Sequence, residues 1–325
     1  MKKNHSTILK GIFITGLSVF FIFPAMAQRE KREISLLTKD QVKRITDIVK
    51  PLKEQFEKQL SREDLYNNYV EDLKAVHSAT TIEDKGYLTE QIAVKYSSFF
   101  KDLWSRTSID VAPYQQQIRQ VFPENIASLI QFDAYLNFTL LVSVSTKPMP
   151  ELEPNKCQDV CSIASGEITG NSSLIAAGGG DYGNCFLKTS AWGTGAFFAG
   201  FSELSGWLRN NITIPGTFPD DARKLRVKKS YEVRLEATSF AAIGGGYAET
   251  RMRTFQSSEY MLVYAPFIWG SHQVRRKTIS ENYLIEKKNV ANSQFRSNSN
   301  TVSLFGSGNW CFSDCSNIKW TVCEE

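Results

Sequence analysis

From position 225 onward the chain alternates. Leu225, Val227, Tyr231, Val233, Leu235 and Ala237 are set against Arg226, Lys228, Glu232, Arg234, Glu236 and Thr238, and Lys229 is the one charge in the apolar series. A period of two is what a strand with one buried and one wet face requires, because successive side chains point to opposite sides of a sheet. Gly244-Gly245-Gly246 can supply the backbone angles of a turn or bulge, and further runs follow at 247–255 and 260–265. The stretch 225–266 therefore predicts the middle of an antiparallel sheet. Shorter runs at 173–177, 184–189, 196–201, 282–287, 302–305 and 318–322 are punctuated by Gly, Asn and Pro. Together they predict about eight or nine strands in a jelly-roll-like β-sandwich.

Before position 145 the period is different. Thr38-Lys39-Asp40-Gln41 has the form of a capping box, after which Val42, Ile45, Ile48, Val49, Leu52 and Phe56 recur at helical spacing. Pro51 falls inside this stripe and predicts a kink or a break. Leu65, Tyr69, Leu73 and Val76 form a second stripe, and Ile92, Tyr96, Phe99, Phe100 and Leu103 a third. A short helix is expected through Val121. The run 126–144 has Asp133 as its only charge and reads as the central helix of a bundle, with a membrane-inserting hairpin half as the alternative. Lys147-Pro148-Met149-Pro150-Glu151-Leu152-Glu153-Pro154 then reads as an extended linker. The expected fold is α+β in two domains. Residues 28–146 would form an N-terminal helical bundle, 147–156 a Pro-rich linker and 157–325 a disulfide-containing antiparallel β-sandwich.

The first 27 residues change where this protein is expected to work. Lys2, Lys3 and Lys10 precede an apolar stretch that ends in Ala25-Met26-Ala27, the pattern of a secretory signal peptide cleaved after Ala27. Those lysines supply three of the four net positive charges of the 325-residue chain. Neither side of Pro150 then carries a basic excess. Nucleic-acid binding, which needs clustered charge to neutralise phosphates, is not expected. Export to the periplasm or the extracellular space is.

Export in turn bears on the cysteines. Cys157, Cys161, Cys185, Cys311, Cys315 and Cys323 are even in number and read as disulfides, with the connectivity open. Cys157-x3-Cys161 and Cys311-x3-Cys315 have spacing that would also suit zinc, but an oxidising compartment favours pairing. No metal site and no cofactor are expected. Gly178 to Gly183 matches the dinucleotide fingerprint only literally, because a strand rather than a helix is expected after it.

Catalytic signals are sparse. Outside the first 27 residues the only histidines are His77 and His272, and neither an HExxH nor a G-x-S-x-G pattern occurs. Glu203, Glu232, Glu236, Glu249 and Glu259 could pair as hydrolase carboxylates, although alternation sets Glu232 and Glu236 among Arg and Lys on a charged outer face. Basic clusters at Arg223, Lys224, Arg226, Lys228, Lys229 and at Arg275, Arg276, Lys277 read as solvated faces. Asp181, Asp220 and Asp221 read as turn residues. No known family's signature is legible.

What remains is recognition. Trp192, Trp207 and Trp269 lie near glycine or loop signals, and Asn210, Asn211, Asp220 and Asp221 fall in a stretch that reads as a long loop beside Trp207. Exposed tryptophan on a β-sandwich can stack on sugar rings, and loops carry binding function more often than scaffolds do. The sequence thus predicts an exported, non-enzymatic protein that binds a glycan, a cell surface or a protein partner through sandwich loops. A membrane-active protein and a carboxylate-dependent hydrolase are the alternatives.

Overall fold

In the computed structural model the alternating run becomes one strand of 18 residues, Lys224–Ala241. The structure describes residues 37–324 apart from 146–155, 174–175, 195–199, 215, 217, 219–223, 242–244, 255, 267–268, 287–289 and 304–306. The candidate signal peptide and nearly all of the linker stretch lie outside the described residues.

Six helices among the described residues precede the sheets: α1 (Lys39–Leu60), α2 (Leu65–Ser78), α3 (Ile82–Lys95), α4 (Ser97–Ser105), α5 (Ala112–Arg119) and α6 (Glu124–Ala127). The capping box is present. Gln41 N–H donates to Thr38 Oγ1 at 3.2 Å, and Thr38 N–H donates to Gln41 Oε1 at 2.9 Å. α1 runs through Pro51 without division.

The strands are β1 (Ile130–Phe132), β2 (Phe138–Ser145), β3 (Lys156–Val160), β4 (Ser162–Ser172), β5 (Ala176–Gly183), β6 (Phe186–Thr194), β7 (Gly200–Thr213), β8 (Lys224–Ala241), β9 (Gly246–Arg253), β10 (Ser257–Ala265), β11 (Trp269–Glu286), β12 (Val290–Ser303) and β13 (Ser307–Glu324). They form two antiparallel sheets. The seven-stranded sheet has the order β1-β2-β10-β9-β12-β7-β4, and the six-stranded sheet has the order β11-β8-β13-β6-β5 with β3 also paired to β13. Between the sheets pack Leu208, Ile212, Met252, Met261, Val263 and Phe295 from the first and Leu187, Val227, Tyr231, Val233 and Leu235 from the second.

This corrects the expected two-domain α+β fold with a helical bundle of its own. Residues from Leu37 onward cluster as one compact unit, dominated by the two sheets. The helical stripes do not close on themselves. Ile45, Val49, Leu52 and Phe56 share one apolar cluster with Phe138, Leu140, Tyr247, Tyr260, Leu262 and Tyr264 of the seven-stranded sheet and Trp192 and Phe240 of the six-stranded sheet. The helices are a cover on a sandwich.

The run 126–144 is also not a helix beyond α6. It forms β1 and β2, joined by a turn in which the Asp133 carboxylate accepts from the backbone N–H groups of Tyr135 (2.8 Å) and Asn137 (3.1 Å). Phe138, Leu140 and Val142 of β2 face the helices, while Leu141 packs with the inter-sheet core. A strand buried on both faces reads as a continuous apolar run, which periodicity cannot separate from a buried helix. No helix among the described residues is long and apolar enough to cross a membrane.

Of the six cysteines, Cys157 and Cys323 form a disulfide between directly opposed positions of β3 and β13, with Cα atoms 4.1 Å apart. The other four are free: Cys161 and Cys185 exposed, Cys311 and Cys315 buried. Cys311 and Cys315 lie four residues apart on β13, so their side chains are about 13 Å apart along one face and out of bonding range. Among the described residues no group of three or more His, Cys, Asp or Glu could hold a metal ion.

Candidate functional site

β7 carries the site. Its burial alternates without a break: Ser202, Leu204, Gly206, Leu208, Asn210 and Ile212 point inward, and Phe201, Glu203, Ser205, Trp207, Arg209 and Asn211 point out. Residues 210–213 of the stretch 210–221, expected to be a loop beside Trp207, are the end of this strand. Asn210 is wholly buried, with its Nδ2 donating to Ser162 Oγ and to the Asn184 carbonyl, both at 2.9 Å. Asn211 is half-buried, opposite Ile163 and Asn292.

Pairing on either side fixes what surrounds Trp207. On β4 its direct partner is Glu167, and the indole Nε1–H donates to Glu167 Oε2 at 3.2 Å. On β12 its direct partner is Arg296. One step along the strand, Ser205 faces Thr169 and Asn298, and Asn298 Nδ2 donates to Ser205 Oγ at 2.9 Å. One step the other way, Arg209 faces Ser165 and Gln294. Trp207 is half-buried, while Ser165, Glu167, Thr169, Arg209 and Arg296 are exposed. A polar platform with one indole near its centre results, because directly opposed residues in an antiparallel sheet share a face.

The platform continues onto β9. Arg253 is directly opposite Arg296, and Arg251 is opposite Asn298. Arg251 Nε donates to Ser258 Oγ at 3.1 Å. Where β9 meets β10 the face passes beneath the helices. Glu249 there is buried and accepts from the Tyr260 hydroxyl at 2.6 Å and from Asn300 Nδ2 at 2.9 Å. The outer face of the seven-stranded sheet is thus divided. Apolar and aromatic residues on β2, β9 and β10 hold the helical cover, and polar residues on β4, β7, β12 and the end of β9 stay open.

The remaining expected residues are not brought to this platform. Trp192 is fully buried among residues of the helix-facing cluster. Trp269 opens β11, opposite Ala241 of β8 in the other sheet. Asp220 and Asp221 lie outside the described residues. Arg296, Asn298, Arg209, Arg251 and Arg253 were not legible as site residues. The signal for Arg296 and Asn298 was the polar alternation of 290–303, which follows side-chain size rather than hydropathy.

The other candidate chemistry is accounted for by pairing. Glu259 takes Lys277 at 2.8 Å and Arg275 at 3.5 Å from β11, so it ties the two sheets together. Glu249 lies on the opposite face of the same sheet, so Glu249 and Glu259 do not face one another. His272 Nδ1 bonds the Thr238 hydroxyl at 2.7 Å. Arg226 and Lys229 of the first basic cluster are buried rather than solvated.

No family of known proteins and no curated protein matches this chain by sequence. Among solved structures, TmCBM61 in complex with β-1,4-galactotriose is similar at 10% identity, over 49% of this chain and 88% of that one, with a TM-score of 0.14. The family 11 carbohydrate-binding module of the cellulase Lic26A-Cel5E of Clostridium thermocellum is similar at 9% identity, over 54% of this chain and 95% of that one, with a TM-score of 0.13. The enzymatically active domain of tailspike protein 4 of bacteriophage CBA120 is similar at 11% identity, over 48% of this chain and 19% of that one, with a TM-score of 0.14. At these TM-scores the likenesses are too slight to bear on function.

Proposed function

We propose that this is an exported glycan-binding protein, and that the open outer face of the seven-stranded sheet, centred on Trp207, is where the sugar lies. One observation carries the reading. A half-buried indole sits in a paired strand, and donors and acceptors from that strand and its two neighbours, β4 and β12, surround it. Aromatic rings offer sugars an apolar face, and amide, carboxylate and guanidinium groups fix their hydroxyls. Binding is thereby moved from the loops to the sheet. Residues on regular elements are held more precisely than loop residues, which suits a flat ligand.

Isothermal titration against hits from a glycan array tests this. Burying one face of a tryptophan is worth about 1.5–3 kcal/mol, so Trp207→Ala is expected to weaken binding about 10- to 100-fold without changing the far-UV spectrum. An affinity unchanged by that substitution removes the site. Export is tested separately: a secreted chain with its N-terminus at Gln28 is the expected product.

A further inference from the structure

We infer that Cys161 and Cys185 form a closable thiol pair, a site where a disulfide donor such as glutathione disulfide converts two free thiols into a second disulfide. The placement follows from β13. β8 pairs along one edge of that strand, so β3 and β6 share the other edge, end to end and both antiparallel to it. Val160 at the end of β3 is opposite Trp320, and Leu187 near the start of β6 is opposite Cys315. On β8 the same interval runs only from Lys229 to Val233, because β13 bulges between Ser316 and Lys319. Those strand steps span about 13 Å. Phe186 and Cys185 reach into the gap from one side, and Cys161 reaches in from the other. One or two steps of about 3.3 Å are left between the two cysteines, and a disulfide joins Cα atoms about 4–7 Å apart.

Hydrogen bonds hold the two segments at this approach. Ser162 and Asn184 are the chain neighbours of Cys161 and Cys185. The wholly buried Asn210 donates from Nδ2 to both Ser162 Oγ and the Asn184 carbonyl, at 2.9 Å each. Ser162 Oγ–H donates to that carbonyl at 3.4 Å, and Ala164 N–H donates to Asn184 Oδ1 at 3.1 Å. Ile318 N–H, in the bulge, donates to the Cys185 carbonyl at 3.2 Å. Both thiols are exposed, so a donor reaches either one. Cys157 is four positions before Cys161, about 13 Å along the chain if extended, and its bond to Cys323 is out of exchange range.

Closure takes two exchange steps. One cysteine thiolate attacks a sulfur of glutathione disulfide, which gives a mixed disulfide and releases one glutathione thiolate. The other cysteine then attacks the protein sulfur of that mixed disulfide, forms the Cys161–Cys185 bond and releases the second glutathione. The protein gives up two electrons and two protons, and the donor takes them up. The new bond would fasten the β5–β6 turn to the point where the chain passes from β3 in one sheet to β4 in the other. β4 carries Glu167, the partner of the Trp207 indole.

Folded protein with Cys157–Cys323 joined and four thiols free is incubated with glutathione disulfide, quenched in acid and weighed by mass spectrometry. The chain is expected to lose the mass of two hydrogen atoms, at a rate independent of protein concentration. Native maleimide labelling should fall from two sites to none. After cleavage at Glu167, which separates the two cysteines, the Cys161 and Cys185 fragments should stay joined until reductant is added. Cys161→Ser and Cys185→Ser should each retain one glutathione, because the resolving thiol is gone. Two stable glutathione adducts on the wild type would put the thiols out of range and overturn the proposal. Linkage of either cysteine to Cys157, to Cys323 or to a second chain would overturn it too. So would wild type and variants that all stay unmodified.

Discussion

Lys229 stands in the apolar series of β8, and its ammonium lies inside the sandwich, 2.6 Å from Glu281 and 2.9 Å from Ser293 Oγ. The Tyr231 hydroxyl donates to the same carboxylate at 2.9 Å, Thr254 also bonds it, and the rings of Phe295 and Trp320 lie against the ammonium. Removing one partner strands a buried charge, so Lys229→Met is expected to cost about 3–5 kcal/mol in urea unfolding. The double change Lys229→Met/Glu281→Leu is expected to cost clearly less. Burial pushes the Glu281 pKa up, but the Lys229 charge and the hydroxyl bonds outweigh it, and the net direction is down. A lowered folded pKa means stability that is present above the unfolded carboxylate value, near 4.3, and lost as pH falls through the folded value. Wild type should lose stability on that acid limb, and Glu281→Gln should flatten it.

The free thiols make a second residue-scale prediction. Burial pushes Cys311 up to about 12 and raises Cys315 well above its ordinary value, so neither thiol reacts while the protein is folded. Maleimide counting by mass spectrometry is expected to find two labels on the native protein, at Cys161 and Cys185. It should find four after unfolding without reductant. Two after unfolding would mean that a second disulfide has formed.

At the scale of elements, β8, β9, β10 and the stripe of α1 were legible because their hydropathy has a clean period. β12 was not. Its inward positions Ser297, Ser299, Thr301 and Ser303 are buried hydroxyls, so no apolar series marks them. They pair instead through contacts such as Thr189 Oγ1 with Ser297 Oγ at 2.6 Å and Asn309 Nδ2 with Ser303 Oγ at 2.6 Å. The same blindness hid half the platform, since β12 supplies Arg296 and Asn298. β7 was missed because its glycines and asparagines resemble loop punctuation, although Gly206 is a close-packing position where a Cβ would come 2.7 Å from Ile168 Cδ1. The link from β3 to β13 is covalent and spans 166 residues of sequence. Cys157→Ser/Cys323→Ser is expected to lower unfolding free energy by about 3–5 kcal/mol, as closing a long loop would.

At the scale of the whole molecule, the helices and the sandwich complete one another. Phe138, Tyr247 and Tyr264 stack in series beneath the helices, and Tyr69 of α2 meets Phe240 of β8 edge-on. The sequence boundary near Pro150 marks a change of period, and a period says nothing about which faces will meet. A fragment covering 156–325 would lose Phe138 with β1 and β2 and would expose Tyr247 and Tyr264 of that floor together with the edge of β10. It is expected to aggregate on expression, whereas a free-standing sandwich domain would be monomeric and melt cooperatively in calorimetry.

The hydroxyl-lined side of β12 has a consequence for recognition. Serine and threonine at every second position make the strand nearly self-similar under a slip of two residues, so the inner contacts barely distinguish one alignment from the next. Phe295 does distinguish them, because its ring fits edge-on between Tyr231 and Trp320 in a slot that a serine cannot fill. A slipped strand would keep its hydroxyls inward, yet it would carry Arg296 one full pleat away from Trp207. The alignment of charge with indole on the outside is therefore pinned by one phenyl ring on the inside, like a vernier set by a single tooth.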